Sequence, residues 1–367
     1  MRGRDKLGKQ DIKYINGLKG LLCFMIMIGH FLGVYKYAES FSDHIWSLDR
    51  FLDSFLSFLL DESWWLIAFY VISGYLIYIS SKPNTLMDTI RLSVIRFFRL
   101  AVPSFFSCFV IYCIYILIGW HHKETAGIFT NSWLQERFYQ GQYSIWNVLR
   151  SPVDLFFTAD TTFNNPYWTL RWFLYSAICI YILKYLCTKI NNKNLCLALV
   201  LAVGTFSFFK CSIIFMNLLG SFCAYVHDKK RAGEKVDRYI AILLMAAMIF
   251  HNNVSWNIMV AAFWVVVFIY ISDLKLLSRF LESKVLIFLG KISWGIYSFH
   301  WSILFSIGTY LIIIGSNKVG LLYAYIMSFA TCVCLTVVLS IIYNKTFGLL
   351  SDKLIGLLKE KWPGSVH

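Results

Sequence analysis

The sequence predicts an all-α fold: a polytopic integral membrane bundle of about ten transmembrane helices, with both termini in the cytoplasm. The first observation is composition, because 58% of the 367 residues are apolar and only 15% are charged, whereas soluble domains are about 45–50% apolar and about 25% charged. The second is an aromatic content of 18%, which suits helices whose ends lie in the aromatic belts of a membrane. The third is the distribution of basic residues, which indicates the orientation.

The predicted spans follow from the length of the apolar segments. A helix needs about 20 predominantly apolar residues to cross the hydrocarbon core of a bilayer. Ten segments approach or meet this length, and the pair 194–209 and 211–227 is short enough to be kinked or partly re-entrant. The predicted spans are 15–34, 64–81, 100–120, 167–187, 194–209, 211–227, 238–252, 254–272, 292–314 and 319–343.

Basic residues between the spans predict which side each loop faces. With the N-terminus inside, the inner segments contain 25 of the Lys and Arg residues and the outer segments contain seven. Cytoplasmic segments of membrane proteins carry such an excess. Although the net charge is +14, the basic residues form no continuous stripe, so the sequence indicates contact with membrane lipid and no nucleic-acid partner.

The chain is predicted to be one membrane domain covering residues 1–367. Its cytoplasmic tails are expected at 1–12 and 344–367, and its two long outer loops at 35–63 and 121–166. Loops of this length are usually functional or contain unrecognised helices. The outer loops contain no cysteine, and no metal site is predicted.

The first span contains two ionisable residues, Lys19 and His30. Eleven residues at about 100° each place both side chains on one helix face, about 16 Å apart along the axis. Lys19 is then near the cytoplasmic boundary and His30 lies deeper. Histidine is the usual proton acceptor near neutral pH, although a snorkelling lysine and a packed histidine are the alternative interpretation.

Arg96 and Arg99 stand three residues apart before the third span, so their guanidinium groups share a helix face. This arrangement suits a phosphate-bearing ligand that approaches from the cytoplasm. The alternative is an anchor that contacts lipid headgroups.

Two further polar features lie within predicted spans. Arg171 is about one turn from the outer boundary, so it either snorkels outward or has a functional role. Ser293, Tyr297 and His300 form a single polar stripe on an apolar helix, which either holds helices together or lines a cavity.

Six elements occur in order along the chain: Lys19 eleven residues before His30, Ser73-Gly74, Arg96 and Arg99 with Pro103, Tyr167-Trp168-Thr169-Leu170, Leu218-Leu219-Gly220, and Ser293 to His300. In this order and at these membrane depths they resemble the motifs of the integral-membrane acyltransferase 3 family, the O-acyltransferases of bacterial surface polysaccharides. The resemblance covers nearly the whole chain. It departs from the family pattern at Lys19, where arginine is commoner, after Leu170, where no glutamate follows, and at Tyr343-Asn344-Lys345-Thr346, where members often show Glu, a basic residue and Pro.

The resemblance implies an enzyme of the bacterial cytoplasmic (inner) membrane. It would move an acetyl or other short acyl group from cytoplasmic acyl-CoA, such as acetyl-CoA, to a hydroxyl of a surface glycan such as O-antigen or capsule. His30 would be the general base, and Lys19, Arg96 and Arg99 would bind acyl-CoA. The remaining candidates would line the cavity or contact the acceptor: Ser73, Trp168, Arg171, Ser293, Tyr297 and His300. Direct transfer, a covalent intermediate and the oligomeric state stay open.

Two other functions fit a polytopic protein with aromatic outer loops. A flippase or exporter of lipid-linked or polymeric glycan would need neither a proton acceptor at His30 nor a site for CoA phosphates. A polysaccharide polymerase would be expected to have larger outer loops with several arginines. Acyl-CoA binding therefore distinguishes an acyltransferase from a carrier.

Overall fold

The computed structural model describes residues 2–36, 62–128, 139, 143–231, 256–271 and 274–361, and within these ranges the chain forms helices and turns without a β-strand. The helices are α1 Arg2–Lys36, α2 Glu62–Ile79, α3 Leu86–Ile118, α4 His122–Ile128, α5 Ile145–Phe157, α6 Leu170–Lys189, α7 Lys193–Lys210, α8 Ser212–Arg231, α9 Trp256–Tyr270, α10 Lys275–Leu281, α11 Lys284–Lys291, α12 Ser293–Ile303, α13 Thr309–Val319, α14 Leu321–Tyr343 and α15 Leu349–Lys361. A 3₁₀ turn, Asn165–Thr169, precedes α6. The π turns Leu304–Gly308 and Asn344–Gly348 join α12 to α13 and α14 to α15.

The chain is a helical membrane bundle. Among the described residues, six helical segments are long and apolar enough to cross a bilayer, and a seventh is added if α9 and α10 form one broken span. The six are Lys13–Leu32, Glu62–Ile79, Leu86–Ile118, Asn165–Lys189, Ser293–Val319 and Leu321–Glu360.

The other predicted spans have different outcomes. The short pair 194–209 and 211–227 forms the helices α7 and α8, which break at Cys211. The predicted span 238–252 lies outside the described residues. The count of ten and the positions of the termini therefore remain predictions.

The segments predicted as loops and tails contain helices of their own. The segment 121–166 holds α4 and α5, and residues 37–61 of the other outer loop lie outside the described residues. The N-terminal tail is helical from Arg2, and the C-terminal tail is helical to Lys361.

Helix α3 begins well before the apolar segment that predicted it, because a capping box starts the helix at Leu86. The Thr85 side chain accepts a hydrogen bond from the Asp88 backbone N–H at 3.0 Å, and the Asp88 carboxylate accepts one from the Thr85 backbone N–H at 3.0 Å. These two bonds satisfy backbone donors that a helix start would leave free. Arg96 and Arg99 consequently lie on a formed helix, with the spacing that the sequence predicted.

Helices α2 and α8 cross at glycines. A Cβ atom on Gly74 would lie 1.8 Å from the carbonyl oxygen of Asn217, and one on Gly220 would lie 1.9 Å from that of Val71. Ser221 Oγ also donates to the Gly74 carbonyl at 3.2 Å. Small residues let membrane helices approach until their backbones touch, so the Ser73-Gly74 and Gly220 motifs belong to one helix crossing.

Two apolar cores meet at α1. The first core packs α1 against α2, α8, α9 and α11, and it includes Met27; the second packs α3, α5, α6, α12 and α14, and it includes Phe31. His30 follows Met27 by three residues and precedes Phe31. It therefore lies where α1 passes from one core to the other.

Candidate active site

His30 of α1 and His300 of α12 stack against each other. Their ring centroids are 5.3 Å apart and their planes differ by 10°. Trp301 meets the His30 ring edge-to-face, with centroids 4.7 Å apart and planes at 80°. Two histidines that the sequence placed in separate motifs therefore share one site, together with a tryptophan that sequence reasoning did not select.

The register between α1 and α12 explains this meeting. Cys23 Sγ donates to the carbonyl of Ser293 at 3.4 Å, and His30 and His300 each follow their residue of this pair by seven positions. Seven residues make about two helical turns, so each histidine lies above its contact residue on the same face. Equal spacing on both helices means that α1 and α12 run in the same direction.

The two histidines differ in their surroundings. His30 is half-buried, whereas His300 is 4% exposed. His300 Nδ1 lies 2.8 Å from the carbonyl oxygen of Ile296, so this nitrogen carries the proton that it donates. His300 Nε2 is buried and has no hydrogen-bond partner among the described residues.

The three residues of the predicted polar stripe make different contacts. Ser293 Oγ donates to the Gly290 carbonyl at 2.9 Å, which satisfies a helix end. Tyr297 donates to the Pro166 carbonyl at 2.7 Å and lies 2.9 Å from Thr169 Oγ1. Of the three, only His300 reaches the ring of His30.

The 3₁₀ turn Asn165–Thr169 is fastened to α12 through Tyr167. The Tyr167 hydroxyl donates to Ser298 Oγ at 2.8 Å, and its ring stacks on Tyr297 with centroids 5.5 Å apart. Trp168, the residue that the sequence selected from this motif, is 38% exposed. The alternation of a buried tyrosine and an exposed tryptophan comes from the turn, which the sequence did not reveal.

Ser73 and Arg171 lie on α2 and α6 and are both half-buried. Neither Ser73 Oγ nor Arg171 Nε has a hydrogen-bond partner within the described ranges. The Arg171 guanidinium lies 4.8 Å from the ring centroid of Trp172. The structure gives no direct contact between these two residues and the histidine pair.

A cluster of basic side chains forms near the predicted cytoplasmic boundary of the membrane. The charge of Lys19 on α1 interacts with that of Arg96 on α3, and Arg96 interacts with Tyr181 and with Arg99. Arg99 is exposed, and Arg96 is half-buried with no partner for its Nε among the described residues. The sequence predicted the pairing on α3, and the structure brings Lys19 to it.

The C-terminal helix adds to this basic cluster. Arg91 is 7% exposed, and its guanidinium donates to the Lys359 carbonyl at 3.4 Å. The ammonium of Lys359 interacts with the charge of Arg99. From the sequence, Lys359 is only one residue of the predicted cytoplasmic tail 344–367, because nothing local indicates that α15 contacts α3.

An aromatic cluster near Ser302 joins the end of the predicted third span to the segment 121–166. Trp120 and Tyr139 stack with centroids 4.0 Å apart, and the Tyr139 hydroxyl lies 3.2 Å from Ser302 Oγ. Burial raises the pKa of Tyr139, so its phenol remains a neutral hydroxyl. Phe305 lies between this cluster and Trp301. Its ring centroid is 5.9 Å from that of Tyr139 and 5.0 Å from that of Trp301.

Comparison with known proteins adds one match. A family model described as an acyltransferase domain matches residues 12–345, which include every candidate site residue. No curated protein and no solved structure matches the chain. Among the described residues, no group of three or more metal-ligating side chains is found.

Proposed function

The chain belongs to the acyltransferase 3 family, and on that premise we propose that it is an O-acyltransferase with a surface-glycan acceptor. The donor is acyl-CoA on the cytoplasmic side, most simply acetyl-CoA. The acceptor is a hydroxyl of a glycan such as O-antigen or capsule on the far side. The protein lies in the bacterial inner membrane, with ten spans and both termini in the cytoplasm.

The contact between His30 and the His300–Trp301 pair carries this proposal. An ionisable residue within a membrane span is energetically costly, and such residues usually mark functional sites. His30 lies where the two apolar cores meet, and aromatic rings fix its orientation. A histidine that is only half-buried and has a fixed ring is suited to general base catalysis.

The basic cluster supports the assignment of the donor. Lys19, Arg96 and Arg99 form no salt bridge with a carboxylate of the described residues, so their charges are available to an anionic ligand. Guanidinium groups bind phosphate through paired hydrogen bonds. Lys19 lies eleven residues from His30, about 16 Å along the helix axis. A CoA molecule held by its phosphates at the cluster would direct its pantetheine arm toward His30.

In the proposed transfer step, His30 carries the proton from the acceptor hydroxyl to the departing thiolate. His30 removes the proton from the glycan hydroxyl while the hydroxyl oxygen attacks the thioester carbonyl. A new C–O bond forms and the C–S bond breaks. The departing CoA thiolate then takes the proton from the His30 imidazolium, and the base is regenerated.

The aromatic cluster supports the assignment of the acceptor. Trp120 ends the predicted third span and stacks on Tyr139, which lies in the segment predicted to be outside. Aromatic rings with a polar edge are suited to sugar faces, because they combine an apolar surface with hydrogen-bonding groups. Arg171 and the exposed Trp168 are placed near the same predicted outer boundary.

Transfer of a labelled acyl group tests the proposal. Membranes containing the protein are incubated with radiolabelled acetyl-CoA and the glycan fraction is counted. The wild type is expected to label the glycan. His30→Ala is expected to lose about 10²–10⁴-fold in rate, the usual effect of removing a general base, and to retain acetyl-CoA binding.

His121→Ala is the matched control, because the His121 ring contacts Glu124 and Tyr310 and takes no part in the histidine pair. It is expected to transfer normally. Absence of labelled glycan with the wild type, for acetyl and longer acyl donors alike, would favour the carrier function. Near wild-type transfer by His30→Ala would remove His30 as the base.

A further inference from the structure

The ring of His30 contacts two other rings, both contributed by α12. His300 covers one face of the imidazole in a near-parallel stack, and Trp301 meets the ring at a steep angle. Both neighbours are at most 4% exposed. Their positions are therefore set by packing, and they hold the plane of His30.

The hydrogen bond from His300 to Ile296 fixes the neutral tautomer of His300, with the proton on Nδ1. Its Nδ1–H is already donated to the Ile296 carbonyl. A second proton would reside on Nε2, which is buried without an acceptor among the described residues. A buried charged N–H with no acceptor is strongly unfavourable. His300 therefore offers a neutral ring to the face of His30.

We propose that His300 is a positioning residue for the acyl transfer, and that its ring, stacked on His30, fixes the orientation of the base. The inference rests on the proposed function. Trp301 supplies a second aromatic neighbour that restricts the same ring. The ring of His300 performs this role, and its nitrogens do not take part in the chemistry.

The local helix geometry is consistent with this role. The π turn Leu304–Gly308 begins four residues after His300, and such turns are frequent at functional sites. Ser328 Oγ donates to the Gly308 carbonyl at 2.8 Å, which ties the end of the π turn to α14. The segment that follows His300 and Trp301 is therefore fastened to α14.

Three variants separate the ring from its nitrogens. His300→Phe keeps an aromatic ring and loses both nitrogens. His300→Asn keeps a donor near the position of Nδ1 and loses the ring. His300→Leu loses both and keeps an apolar side chain. For each purified variant, kcat and the KM for acetyl-CoA are measured, together with acetyl-CoA binding and monodispersity as tests of folding.

His300→Phe is expected to keep kcat within about tenfold of the wild type, whereas the Asn and Leu variants lose about 100-fold, the effect of a misplaced catalytic group. The KM for acetyl-CoA should not change, because the donor phosphates bind elsewhere. Loss of kcat in a folded His300→Phe variant would overturn the proposal and assign the chemistry to a nitrogen of His300. Wild-type kcat in all three variants would also overturn it.

The experiments distinguish a failure of the proposed function from a failure of this inference. If the wild-type protein transfers no acyl group, the O-acyltransferase assignment fails first. If the wild type is active, His30→Ala is inactive and His300→Leu is as active as the wild type, only the role of His300 is lost. Where the Leu and Asn variants do not fold, kcat of His300→Phe decides the question.

Discussion

Charged side chains that are far apart in the sequence are brought together at one end of the site. Lys19 belongs to α1 and Arg96 to α3, and their like charges interact. Such a meeting is unfavourable unless an anion offsets the repulsion. The proposed CoA phosphates supply this anion, and Arg91 and Lys359 extend the same cluster.

Removal of the two α3 arginines tests the donor site. Each charge-assisted hydrogen bond to phosphate contributes about 1.5–3 kcal/mol, so Arg99→Ala is expected to weaken acetyl-CoA binding by about tenfold or more. The Arg96→Ala, Arg99→Ala double variant should weaken it further. Binding is measured by isothermal titration calorimetry on purified protein.

Lys318→Ala is the matched control, because Lys318 is a basic residue in the last turn of α13 and does not belong to the basic cluster. It is expected to bind acetyl-CoA normally. Wild-type affinity in the arginine double variant would assign Arg96 and Arg99 to lipid headgroups instead.

The sequence predicted the helix faces of these residues but not their partners. The spacing of Lys19 and His30, and that of Arg96 and Arg99, follows from helix periodicity alone. The stack of His30 on His300 depends on the register between α1 and α12, which is set by packing between distant segments. The choice between Tyr167 and Trp168 depended on a 3₁₀ turn, whose side-chain directions no periodic pattern indicates.

At the scale of elements, close crossings of helices fix the bundle. Gly74 and Gly220 let α2 and α8 touch backbone to backbone, and Gly290 lets α11 approach α1, since a Cβ atom there would lie 1.9 Å from the Asn16 carbonyl oxygen. Two of the sequence motifs are therefore explained by packing. Their glycines set the distance between helices and do not contact the proposed reacting groups.

A larger residue at the α2–α8 crossing should destabilise the protein. Gly74→Leu places a side chain where only backbone fits, and overpacking costs typically about 1–3 kcal/mol and occasionally more. We expect a lower Tm and a reduced yield of monodisperse protein in detergent, measured by thermal unfolding and size-exclusion chromatography.

Gly204→Leu provides the control, because a Cβ atom at Gly204 of α7 meets no atom within 4 Å. Its Tm is expected to equal or exceed that of the wild type. Equal Tm values for the Leu variants at positions 74 and 204 would contradict the close crossing.

The extents of the helices were only partly predictable. Apolar length located the six spans found among the described residues. The start of α3 depends on the Thr85–Asp88 capping box, and Asp88, Arg91 and Ser93 interrupt the apolar residues of the turns that follow it. The helix α5 was missed because it is short and lies in a segment predicted as a loop. Its exposed apolar side chains include Trp146, Leu149 and Val153.

At the scale of the whole molecule, α1 and α12 run in the same direction. In a membrane this requires an odd number of crossings between them, and the ten-span arrangement has seven. The parallel pair therefore agrees in parity with the predicted topology, in which both helices run from the cytoplasm outward.

Labelling of introduced cysteines tests this topology. Membrane-impermeant maleimide added to intact cells should label cysteines introduced at 40–60 and 125–160. It should not label those introduced at 230–236 until the cells are permeabilised. The unmodified protein measures the background from its ten native cysteines. External labelling at 230–236 would contradict the orientation.

The central claim is acyl transfer across the membrane with His30 as the base, and reconstitution in liposomes tests it most directly. Radiolabelled acetyl-CoA is supplied at the face that carries Arg96 and Arg99, and the acceptor glycan is confined to the opposite face. We predict acylated glycan with the wild type and a loss of about 10²–10⁴-fold with His30→Ala. Equal transfer by both proteins, or no transfer with donor and acceptor on opposite faces, would contradict the account.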